Sequence, residues 1–108
     1  MTTFDERERA FEAKFAHDQE MIFKIHARRD KLLGAWAAAK LGLTPAETEG
    51  YCRDLVHADF EMVGDTDITK KLLGDLTGAG IEVNEAEIRA EIEQKTFQAR
   101  RQLIEATV

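Results

Sequence analysis

Apolar residues return along this chain at helical spacing and nowhere alternate as they would in a strand. With each residue taken as a 100° step, Phe4, Phe11, Phe15, Ile22, Ile25, Leu33 and Trp36 fall on one face of a first helix running from Phe4 to Lys40. Gly42 stops it, because glycine takes the left-handed cap conformation without a Cβ penalty. Thr44-Pro45-Ala46-Glu47 is a capping box with proline at the first helical position, where its missing N–H is not needed. The second helix follows, with Tyr51, Leu55, Ala58 and Met62 as its stripe, widened by Cys52, Val56 and Val63, and Gly64 as its end. A short third helix starts after Asp65 or Thr66, packs Ile68, Leu72 and Leu76, and stops at Gly78-Ala79-Gly80. Asn84, with Glu87 three residues on, opens a fourth that presents Ile88, Ile92, Ala99 and Leu103, with Phe97 and Ile104 beside them. Short connections between helices favour an up-and-down arrangement, so the fold class is all-α, a four-helix bundle. Gly34 interrupts the first helix beside Trp36, where a small residue would let a neighbouring helix approach.

The helix lengths do not match. At 1.5 Å per residue the first would be about 55 Å long, the second about 28 Å, the third about 16 Å and the fourth about 33 Å. Roughly the first 15 residues therefore overhang the bundle, and Asp18 is a suitable N-cap for the packed portion. This divides the chain into a flexible amphipathic docking segment, residues 1–18, and a bundle domain, residues 19–108. Outside the core, Phe4, Phe11 and Phe15 are apolar anchors for a partner's groove, each able to bury on the order of 150 Å². Arg7, Glu8, Glu12 and Lys14 lie between them and would orient the contact. The alternative is a helical adaptor, in which the same stripe folds back on the bundle or pairs with a second copy.

Composition narrows the partner. The net charge of −6 is uneven: residues 41–94 carry four basic against thirteen acidic side chains, while residues 1–40 carry eight against seven. An acidic body argues against nucleic acid, which requires a basic face to displace counterions. The single cysteine, Cys52, rules out an intrachain disulfide and fits a reducing, cytoplasmic setting. No basic n-region with an apolar stretch opens the chain, and no run of 18 apolar residues suggests membrane insertion.

No catalytic constellation emerges. His57 and Glu61 stand at i,i+4 without further ligands nearby, so no metal site is expected. Asp65-Thr66-Asp67 begins like a calcium loop, but Lys70 and Leu76 occupy the positions that need Gly and Glu. The glycines at 74, 78 and 80 do not make a phosphate loop. Cys52, Trp36 and Tyr51 sit where core residues are expected. Lys24, Arg28, Arg29 and Lys31, together with Lys95, Arg100 and Arg101, could gather an anion if the first and fourth helices are adjacent.

The strings Phe4-Asp5-Glu6-Arg7-Glu8, Ala10 to Asp18, Ala27-Arg28-Arg29, Lys31 to Gly34 and Trp36-Ala37-Ala38 resemble the zeta subunit family of alpha-proteobacterial F1Fo-ATP synthases. Tyr51, Val56, Asp59, Phe60 and the Ile88-Arg89 pair look like later landmarks of that family, so the likeness spans essentially the whole chain. Asp30 and Ala35 stand where the family pattern has Asn and Leu. The resemblance implies a four-helix, non-catalytic protein, monomeric when free, that binds the alpha, beta and gamma subunits of the F1 sector. It implies inhibition of ATP hydrolysis through the N-terminal segment, and a location peripheral to the inner membrane through F1. It also implies weak ADP or ATP binding without any required cofactor, for which Lys24, Arg28, Arg29, Arg100 and Arg101 are the candidate residues.

Overall fold

The computed structural model describes Glu6, Arg9, Ala10, residues 19–61 and residues 65–107. Four helices follow in order: α1, Gln19–Leu41; α2, Pro45–Glu61; α3, Asp65–Gly78; and α4, Glu85–Thr107. No strand occurs among the described residues, and the fold is all-α. Glu6, Arg9 and Ala10 are helical and exposed.

The ends of the helices are set by local hydrogen bonds that the sequence announces. After α1, Leu43 N–H donates to Ala38 O and Gly42 N–H to Ala39 O, with Gly42 at φ 72°. This is the Schellman pattern, and it needs a residue tolerant of positive φ. Gly80, at φ 81°, repeats it after α3, where Ile81 N–H donates to Leu76 O and Gly80 N–H to Thr77 O. At the start of α2, Glu47 N–H donates to Thr44 Oγ1 at 3.2 Å and Thr44 N–H to Glu47 Oε1 at 2.8 Å, the reciprocal capping box. Asn84 caps α4 by accepting from Glu87 N–H at 2.8 Å.

α1 packs against α2 and α4, and more lightly against α3, which bridges α2 and α4. The main core joins Leu33 and Ala37 of α1, Leu55 of α2, Ile68, Leu72 and Leu76 of α3, and Ile88 and Ile92 of α4. A smaller cluster joins Met21 and Ile25 of α1 to Leu103 and Ile104 of α4. The start of α1 thus meets the end of α4, so these two 23-residue helices run antiparallel and span the same length.

Several inward expectations are corrected. Ile22 is 40% exposed, because Met21 and Ile25 turn toward α4 at that end of α1. Trp36 and Tyr51 flank the core rather than fill it: the Tyr51 hydroxyl donates to Asp75 at 2.7 Å, and Lys40 Nζ lies 5.3 Å from the Trp36 ring centre. Cys52 is half-buried, its thiol 3.4 Å from the Lys31 carbonyl. Gly34 does admit a neighbour, since a Cβ there would stand 2.9 Å from the Cys52 Cα. Met62, Val63, Gly64 and the Asp18 cap lie outside the described residues.

Candidate functional site

The docking residues read from the sequence, Phe4, Arg7, Glu8, Phe11, Glu12, Lys14 and Phe15, lie outside the described residues. Among the described residues, the two apolar clusters of the bundle run from Met21 to Ile104.

The basic residues separate into different environments. Lys24, Arg28 and Lys31 stand at i, i+4 and i+7 and so share one face of α1. They line a groove between α1 and α4 that also holds Phe23, Leu32, Gln102 and Leu103. Arg28 donates from Nη1 to Gln102 Oε1 at 3.3 Å, and Lys24 pairs with Glu20 at 3.4 Å in the open. Arg100 lines another groove, with Arg89, Glu93 and Phe97 of α4 and Thr69 of α3. Arg101 reaches Glu105 at 3.9 Å and lies 5.9 Å from the Phe97 ring centre. The structure therefore brings Lys24 and Arg28 together with Lys31, and it does not gather all five candidates into one patch.

Arg29 leaves the surface altogether. It is 1% exposed, and its guanidinium pairs with Asp30 at 3.1 Å and with Asp59 of α2 at 3.0 Å. Spacing carried this signal: Arg29 is four residues after Ile25 and four before Leu33, on the apolar stripe rather than on the face of Lys24 and Arg28.

A feature missed at the sequence level is the exposed aromatic pair of Phe23 and Phe60, stacked with ring centres 4.1 Å apart and planes at 15°. It edges an apolar groove between α1 and α2 with Cys52 and Val56. Burial pushes the Cys52 thiol up from its ordinary value, opposite to what a thiolate nucleophile needs. Among the described residues, no three His, Cys, Asp or Glu side chains come together as metal ligands; His57 and Glu61 pair at 3.6 Å in solvent. No helix among them is long and apolar enough to cross a membrane.

Residues 1–102 match the family model described as ATPase inhibitor subunit zeta. A chain whose structure was determined by solution NMR is similar to this one, with 43% identity and a TM-score of 0.69, over 80% of this chain and 98% of that one. No curated protein matches the chain.

Proposed function

Because the chain belongs to the ATPase inhibitor subunit zeta family, we propose that it inhibits ATP hydrolysis by the F1 sector of a bacterial F1Fo-ATP synthase without catalysing a reaction itself. Residues 1–18 dock as an amphipathic helix at a catalytic interface of the alpha and beta subunits, near gamma, and stop rotation. Phe4, Phe11 and Phe15 anchor this helix, with Arg7, Glu8, Glu12 and Lys14 orienting it. The observation that carries the reading is the extent of the family match, which begins at residue 1 and so includes the N-terminal segment. Folding of the carrier and docking of the segment are then separable. Titrating the protein into the cognate F1 during ATP hydrolysis tests this: saturable inhibition is expected, and unchanged hydrolysis at saturating protein would sink the proposal.

An adenine nucleotide binds weakly, through its phosphates. Lys24 and Arg28 are the favoured contacts, since they share the α1/α4 groove with Lys31. Arg100 and Arg101 offer further cationic groups on α4, while Arg29 is committed to its buried carboxylates. Addition of ADP to isotope-labelled protein should shift amide signals around Lys24 and Arg28. Shifts confined to residues 41–94 would refute that location.

A further inference from the structure

We propose that Arg29, Asp30 and Asp59 form a buried proton-binding site that clamps α1 to α2, with one proton shared between the two aspartate carboxyls. This goes beyond the inhibitor reading and does not depend on it.

The geometry carries the inference. Asp30 is fully buried and Arg29 is 1% exposed, while the side chain of Asp59 is 8% exposed. Arg29 Nε stands 3.1 Å from Asp30 Oδ1, and its Nη2 stands 3.0 Å from Asp59 Oδ2. The contacts of Arg29 extend beyond these two. Asp30 Oδ2, by contrast, is buried and accepts no hydrogen bond from the described residues. An ionised carboxylate there would leave a buried charged oxygen without a donor from the surrounding protein, a costly state in a protein interior. A proton on that carboxyl removes the charge and makes it a donor, and the Asp59 carboxyl, held on the same guanidinium, is the partner that would accept. Arg29 and Asp59 then form the ion pair, with a neutral Asp30 bonded to both.

The charged groups set against Asp30 are Arg29 on its own helix and Asp59 on α2. Burial and the bond to Asp59 raise the Asp30 carboxyl from 3.8 to about 8, while Arg29 pulls the other way without prevailing. The linkage sign follows from that direction. Below the ordinary Asp value both folded and unfolded chains hold the proton. Between there and about 8 the unfolded chain has released it and the folded chain keeps it, so stability falls as pH rises through this window. The clamp joins the middle of α1 to the later part of α2, so alkaline conditions loosen the helix that leads back to residues 1–18.

Carboxyl-carbon NMR of the full chain reads the proton directly. Asp30 should titrate well above the ordinary Asp range, and a titration within that range would overturn the proposal. Asp30→Asn keeps the shape and a donor but has no proton to lose. The ratio of the wild-type unfolding constant to that of Asp30→Asn should therefore rise with pH, by up to about tenfold per unit between pH 5 and 8. A ratio constant across that range contradicts the clamp. Asp59→Asn removes the competing carboxylate and leaves Arg29 to Asp30, so the Asp30 titration should move down; an unmoved midpoint would also contradict it.

Discussion

Two glycines inside helices show how the same residue answers opposite demands. Alanine in a helix interior is worth about 1 kcal/mol over glycine when nothing else changes. At Gly50 of α2 an added Cβ meets nothing within 4 Å, so Gly50→Ala should raise stability by up to about that amount. At Gly34 of α1 the same Cβ would stand 2.6 Å from the Cys52 Sγ and 2.9 Å from its Cα, and a backbone atom cannot swing aside. Gly34→Ala should therefore lower stability despite the better propensity, by about 1–3 kcal/mol as other overpacked sites do. Urea unfolding of the two variants beside the parent checks the opposite signs. The close approach at Gly34 was legible as a small residue in a helical run, but its partner was not, since sequence does not say which residue of α2 sits opposite. Arg29 was misplaced for a different reason: a run of cations suggests a solvated face, and only its register with Ile25 and Leu33 indicated burial.

At the scale of the helices, stops and starts were the most readable features, because each depends on residues within a single turn. The reciprocal bonds between Thr44 and Glu47 close two donors at the start of α2 that would otherwise lack partners. Thr44→Ala should then cost about 0.5–2 kcal/mol, seen as a lowered urea midpoint with unchanged slope. The hydrogen bond from the Thr44 backbone holds the exposed Glu47 carboxyl below its ordinary range. Its share of the cap is present above that range and lost as pH falls through the depressed value. Burial was less legible than boundaries. A 100° wheel assigns one inward face along a whole helix, whereas α1 shares a core with α2, α3 and α4 around Leu33 and meets α4 in the cluster around Met21. The inward face rotates along its length, which leaves Ile22 and Phe23 outside while Met21 goes in. Phe23 then finds its partner on another helix, Phe60, a pairing that no periodicity within one segment could reveal.

For the whole molecule, the length argument reads a bundle and a separate N-terminal segment, and the resemblance implies what that segment would do. In the structure α1 and α4 span equal lengths among the described residues, and Met21 and Ile104 join their ends. Residues 1–18 add three phenylalanines at helical spacing and belong to the matched family region. If they serve F1 rather than the core, stability and inhibition must respond to different substitutions. The direct measurement is thermal unfolding beside inhibition of ATP hydrolysis by the cognate F1, for the Phe11→Ala/Phe15→Ala double variant and for Leu55→Ala. Leu55 is fully buried, and its truncation should lower the melting temperature through a cavity costing about 2–5 kcal/mol. The double variant should melt close to the parent, yet its inhibition should weaken at least tenfold, as truncating aromatic anchors at an interface costs about 2 kcal/mol or more each. A double variant that unfolds as early as Leu55→Ala, or that inhibits as tightly as the parent, would contradict the account.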